Sequence, residues 1–283
     1  MTDIAETRQA MEAIHRNWNE RVPVHAKSDL YDLHGFKEGK SSLHSIELEE
    51  LGDVAGKSML HLQCHFGLDT MSWARLGAKV TGVDFSEEAI ALARSLSEEL
   101  DIGARFVLSN VYDLPDALDE RAAYDIVFTS YGVLCWLPDT EAWARVVAHF
   151  LRPGGTFYIV DGHPFGGIFD DKDDVTELKV DYRYFHSAQP VGFEPGPSYA
   201  GDELLKTPTY EWTHPISDIL NSIISAGLRI EFLHEFPFIG WQAYPMMERG
   251  EDGWWRLPEH QDSVPLLFSL KPTKPPAGDL PPL

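Results

Sequence analysis

Between residues 58 and 161 the sequence alternates five short apolar runs with stretches of helical period, and no other feature restricts the fold as much. The runs at 58–63, 79–84, 104–108, 124–129 and 156–161 have strand length and are bounded by turn-forming residues. The stretch 69–76 reads as a helix closed by Gly77. Ser86 caps the next helix, with Glu87 and Glu88 in the first turn, where the helix dipole favours negative charge. A further helix, 140–151, ends at Arg152-Pro153-Gly154-Gly155, a stop-and-turn signal. Strand–helix–strand connections pack back onto a sheet as right-handed crossovers, so the alternation predicts a mostly parallel α/β sheet. A helix at 217–226, capped by Ser217 and closed by Gly227, and strands at 228–234 and 264–270 bring the sheet to seven strands.

The flanking segments lack this rhythm. Residues 4–21 read as a helix with Ile14 and Trp18 on one face, and 41–51 as a second, capped by Ser41 or Ser42. Residues 162–212 hold Gly, Pro, aromatics and short β-like pieces such as 179–186, and read as an insertion over the carboxyl edge of the sheet. An aromatic loop covers 236–262. The organisation expected is a helical cap at 1–50, a cofactor-binding domain at 51–271 with a lid insertion at about 162–212, and a Pro-rich, extended tail at 272–283.

Composition narrows the partners. The formal net charge is -22, and no cluster of Lys or Arg offers phosphates a local exception, so nucleic acid and anionic membrane are not expected. A neutral or cationic small molecule fits better. No apolar run reaches the length of a membrane span, and the first residues lack the pattern of a secretory signal. Cys64 and Cys135 make neither a disulfide framework nor a zinc spacing, and His61 and His65 straddle a strand end, so no metal site is expected. Together these point to a reduced, cytoplasmic setting.

In open α/β sheets the ligand lies outside the carboxyl ends of the strands. The first strand-to-helix turn is Gln63-Cys64-His65-Phe66-Gly67-Leu68-Asp69, where Gly67 permits close backbone approach. The second strand ends in Gly82-Val83-Asp84-Phe85-Ser86. A carboxylate there accepts both hydroxyls of a ribose, and Asp84 follows Gly67 at close to the roughly 20-residue spacing of such sites.

The stretch LHLQCHFGLDTMSWARLGAKVTGVDFSEEAIALAR (60–94) resembles motifs I and II of class I S-adenosylmethionine (SAM)-dependent methyltransferases. It is nearer still to a bacterial small-molecule group with an LHLQCHFGLDT signature. SNVYDLP (109–115) resembles the segment beside the adenine, YDIVFTSYGVLCWLPD (124–139) strand four and its following loop, and LRPGGTFYIVDGHP (151–164) the approach to strand five. The resemblance is dense over about 28–164 and weaker through the last two strands. It implies a Rossmann-like doubly wound α/β sheet of order 3-2-1-4-5-7-6 with strand 7 antiparallel, SAM as cofactor and S-adenosylhomocysteine (SAH) as product. It also implies that Asp84 holds the ribose hydroxyls and Phe85, with Ser86 after it, packs on the adenine. Asn110, Val111 and Tyr112 would meet the adenine edge. Ser130 and Tyr131 would lie near the methionine portion, with Gln63, Cys64, His65 and Gly67 beneath it. The chain departs from the wider pattern where Gln63 and His65 stand in two glycine places, His61 where an acid is common, and Asn110 in place of Asp.

Methyl transfer is an in-line displacement, so the protein mainly aligns the reactants and excludes water, and a neutral amine or hydroxyl acceptor gains from a general base. His163, at the exit of strand five in Asp161-Gly162-His163-Pro164, is the first candidate base, and His214 the second. Asp161 is a candidate to orient His163. Tyr31, Phe36, Trp136, Tyr182, Tyr184 and Trp212 are candidates for an aromatic acceptor pocket. Three alternatives stay open: a degenerate SAM-binding or scaffold protein, favoured by the altered motif I; an NAD(P) oxidoreductase, disfavoured by the missing G-x-G-x-x-G; and, within methyl transfer, O or N of a small metabolite against S or C. Homodimerisation is also left open.

Overall fold

The computed structural model describes residues 4–172 and 174–276. Helices α1 (Ile4–His25), α2 (Leu33–Lys37) and α3 (Ser45–Leu51) precede the sheet. There follow β1 (Ser58–Leu62), α4 (Leu68–Arg75), β2 (Lys79–Asp84), α5 (Glu87–Glu99), β3 (Ala104–Leu108), α6 (Leu114–Ala117), β4 (Tyr124–Ser130), α7 (Thr140–Phe150) and β5 (Leu151–Gly162). The sheet is completed by α8 (Ile216–Ser225), β6 (Arg229–Phe236) and β7 (Leu267–Thr273). The strand order is β3-β2-β1-β4-β5-β7-β6, with β7 antiparallel to both neighbours, which is the order the resemblance implied.

The central strands are apolar along their whole length because helices and loops cover both faces. Leu60, Leu62, Val127, Phe157 and Ile159 face one way and pack with Trp143 and Phe150 of α7. Their alternates Met59, Ile126, Phe128, Tyr158 and Val160 face the other way and pack with Trp73 of α4. Among the described residues no helix is long and apolar enough to cross a membrane.

Several local expectations are corrected. Helix α1 runs beyond residue 21 to His25, carrying Pro23 in its last turn, where the missing N–H removes one rung without ending the helix. Helix α3 starts at Ser45 behind His44, whose N–H donates to Glu47 Oε1 at 2.6 Å, because Ser42 is already used by Asp69. Pro215, not Ser217, precedes α8. The Arg152–Gly155 stretch lies inside β5: Leu151 pairs with Tyr124, and a register shift before the Ile126–Thr156 pair absorbs the extra residues. Residues 179–186 form only a single bridge, Phe169 to Val180, because side-chain bonds such as Tyr182 to Asp171 hold that segment. The lid's strands lie further on, Val191–Phe193 against Thr209–Glu211 and Pro197–Ser198 against Gly201–Leu204. The aromatic loop contains three short strands, Phe238–Ile239, Glu248–Arg249 and Trp255–Arg256. The last strand begins at Leu267 and takes in Pro272 and Thr273, while the tail residues 277–283 lie outside those described.

Candidate functional site

A cavity of about 640 Å³ opens at the carboxyl edge of β1, β2 and β4, beneath α1 and the lid. Its floor is the turn between β1 and α4. Gln63, His65 and Gly67 there have φ of 56°, 51° and 77°, all left-handed. The two non-glycine residues in glycine places thus keep a glycine-like backbone, at a cost of roughly 1–2 kcal/mol each. Gly67 itself has no substitute, since a Cβ would stand 2.4 Å from the Phe106 ring. The turn is clamped by Asp84, whose Oδ2 accepts from His65 N at 2.8 Å and whose Oδ1 accepts from Ser86 N at 2.9 Å. Burial raises the Asp84 carboxyl to about 6, against the pull of these N–H groups.

Two buried polar atoms on this floor, Gln63 Oε1 and His65 Nδ1, have no hydrogen-bond partner among the described residues. Leaving such groups unpaired costs about 1–3 kcal/mol each, so the floor suits a ligand with polar groups of its own. His65 Nε2 shares a hydrogen bond with His25 Nδ1 at 3.0 Å, and His25 Nε2 with Ser198 Oγ at 2.7 Å. Burial, with Arg21 nearby, holds His25 down to about 3, and burial holds His65 well below the usual imidazole range, so both are neutral near pH 7.

A second wall comes from the exit of β4. Ser130 Oγ donates to Asp69 Oδ2 at 2.9 Å, and Ser42 Oγ donates to Asp69 Oδ1 at 2.6 Å. Tyr131 has φ 47° and donates to Glu47, a fully buried carboxyl that burial raises to about 8. Asp161 accepts from the backbone N–H groups of Gly132, Val133, Leu134 and Gly162. It therefore fixes the loop after β4 rather than orienting His163.

The cavity brings together ten of the twelve residues expected at the cofactor: Gln63, Cys64, His65, Gly67, Asp84, Phe85, Asn110, Val111, Ser130 and Tyr131. Ser86 and Tyr112 stand behind it. Ser86 caps α5, and the Tyr112 hydroxyl donates to Asp139 O at 3.0 Å. Asn110 Oδ1 accepts from Tyr112 N at 3.0 Å, which leaves its amide N–H groups as the freer donors. Of the acceptor-pocket candidates, Tyr31, Phe36 and Trp136 line the cavity. Tyr182, Tyr184 and Trp212 do not; Trp212 is 2% exposed and packs on Ala10 and Ile14 of α1. Both candidate bases lie elsewhere. His163 Nδ1 accepts from Phe165 N at 3.0 Å, and its Nε2 lies 2.9 Å from Glu235, off the line of a good hydrogen bond. His214 donates to Leu137 O at 2.7 Å and stacks on His186, and burial lowers it to about 4.

Sequence reasoning did not single out Trp18, Asp69, Tyr199 or Glu211 as wall residues, nor Arg21 and His25 just behind them. The α1 residues were within reach: Trp18, Arg21 and His25 recur at helical spacing, a face hidden by ending the helix before Pro23. Tyr199 sits in the turn between two short lid strands and Glu211 at the end of another, with no pattern to flag them.

Residues 59–155 match the model of a methyltransferase domain family. The ubiquinone biosynthesis O-methyltransferase of Xanthomonas oryzae pv. oryzae is 31% identical over 132 residues, which is 46% of this chain and 54% of that protein. The chain thus spans about half the length of the curated relatives it matches. Among solved structures, the CcbJ methyltransferase of Streptomyces caelestis superposes with a TM-score of 0.61 at 17% identity, over 92% of this chain and 98% of that one. The S-adenosylmethionine dependent methyltransferase of Mesorhizobium loti does so at 0.56 and 21% identity, over 84% and 99%. The fold is that of the SAM-dependent methyltransferases.

Proposed function

We propose that this chain, built around a methyltransferase domain at residues 59–155, transfers a methyl group from SAM to oxygen or nitrogen of a small-molecule acceptor. The observation that carries the reading is the Asp84 clamp: a carboxylate on the cavity wall that ties the ends of β1 and β2 at the place a ribose would occupy. Asp84 accepts from the ribose hydroxyls, Phe85 and Val111 enclose the adenine, and Asn110 meets its edge. Gln63 and His65 give their unpaired atoms to the methionine portion, beside Ser130 and Tyr131. SAM supplies an already activated methyl group on sulfonium. The chain's part is to fix the acceptor in line and to keep water out beneath α1 and the lid. The left-handed backbone at Gln63 and His65 weighs against a degenerate fold member, because the turn keeps a conformation that glycine adopts freely although its residues are not glycine.

Calorimetric titration with SAM and SAH tests this. Saturable binding is expected, and Asp84→Ala should weaken it by about 30-fold or more, the scale of two charge-assisted hydrogen bonds. Absence of binding at millimolar ligand would remove the proposal.

A further inference from the structure

The cavity wall is acidic. Asp32, Asp69, Asp84, Asp171 and Glu211 line it, and the one lysine or arginine among its described lining residues, Lys40, is paired with Asp32 at 2.8 Å. Four of the five acids are already engaged. Asp69 accepts from two serines, Asp84 from two backbone N–H groups, Asp32 from Lys40 and Gly35, and Asp171 from Tyr182. Glu211 is different. No hydrogen bond or ion pair engages its carboxylate among the described residues, and the charges that reach it are those of Arg21 and Asp171.

Its position is fixed by the lid. The Trp212 N–H donates to Cys135 O at 2.8 Å, which seats the end of the Thr209–Glu211 strand against the turn Leu134–Trp136 beyond β4. Arg21 does not neutralise it by contact. Its Nε donates to Asn17 at 2.6 Å and its guanidinium lies over the rings of Trp18, Trp136 and Tyr199, 5.4 to 5.6 Å from their centroids. Trp18, Trp136, Tyr31 and Tyr199 give the same part of the cavity an aromatic wall.

We infer that the acceptor is a primary or secondary amine, bound as its ammonium ion against the Glu211 carboxylate and enclosed by aromatic rings. A carboxylate without a partner is the natural seat for an ammonium, and an acidic wall repels anionic acceptors. Glu211 then accepts one ammonium proton and frees the nitrogen lone pair. That pair forms the nitrogen–carbon bond as the carbon–sulfur bond breaks with its electrons left on sulfur, and the proton on Glu211 passes to solvent. Burial raises Glu211 to about 7, so it takes up and releases a proton near neutral pH.

This inference rests on the methyltransferase reading, and one experiment separates the two. SAH-saturated protein is titrated with 2-phenylethylamine, 2-phenylethanol and phenylacetate, which share a frame and differ in the polar end. The amine is expected to bind about tenfold or more tighter than the alcohol, with phenylacetate weakest. Glu211→Gln should bring the amine to within about threefold of the alcohol while SAH affinity stays within about twofold, which also shows that the variant is folded. Amine binding no better than alcohol binding, or an amine preference that survives Glu211→Gln, overturns the inference, as does failure of all three to bind. If wild-type protein fails to bind SAH, the methyltransferase reading falls with it.

Discussion

Asp84 and His65 hold each other in place, and the pH dependence of the site follows from that pair. The Asp84 carboxyl stands at about 6 in the free protein, above its ordinary 3.8, because burial disfavours the charge. In the proposed binding mode the ribose hydroxyls donate to the ionised form, so SAH should bind with constant affinity above about pH 7 and lose up to tenfold per unit below about pH 6. Calorimetry from pH 5 to 8 checks this; a flat profile would remove Asp84 as the ribose anchor. Free of ligand, the raised value has the opposite sense: the contribution of Asp84 to stability is full below pH 3.8 and is lost as pH rises through about 6. Asp84 was legible in the sequence because an acid at the end of the second strand is a local signal. His65 was legible only as a departure from glycine; that its N–H completes the clamp depends on a left-handed backbone, which residue type does not announce. Glu211 was not legible, since a single acid in a three-residue strand has no period and no motif.

At the level of elements, the loop after β4 depends on one carboxylate. Asp161 accepts from three consecutive N–H groups, Gly132 to Leu134, all close to the cavity wall. Asp161→Ala leaves them without a partner, and a loss of about 2–4 kcal/mol in unfolding free energy is expected by urea denaturation. His163→Ala should leave SAH affinity within about twofold, because His163 faces Glu235 rather than the cavity. A large loss of SAH binding in that variant would restore His163 to the site. Strands β1, β2, β4 and β5 could be read from the sequence because parallel strands buried on both faces give near-continuous apolar runs. The lid could not. Its strands are two to four residues long, and side-chain bonds such as Tyr182 to Asp171 decide where pairing starts.

Over the whole molecule, the first helix and the lid are joined across the cavity. Glu20 accepts from the N–H groups of Lys206 and Thr207 and from the Thr207 hydroxyl, Asn17 donates to Thr207 O, and the Tyr31 and Tyr199 hydroxyls meet at 2.7 Å. Glu20→Ala is expected to raise amide hydrogen exchange in α1 and in 197–212 together, by about 1–2 kcal/mol of opening free energy, with the amides of β1 and β4 unchanged. Exchange rising in the lid alone would mean that the two segments open independently. The alternation from 58 to 161 made the sheet readable but said nothing of this bond network, whose partners are some 170–190 residues apart. On the proposed function, acceptor choice belongs to a unit that is discontinuous in the chain. A chimaera that exchanges only the lid would receive the Glu211 side of the pocket without the Trp18 side, so any transplant of specificity has to carry both segments, and the two are expected to vary as one inherited character.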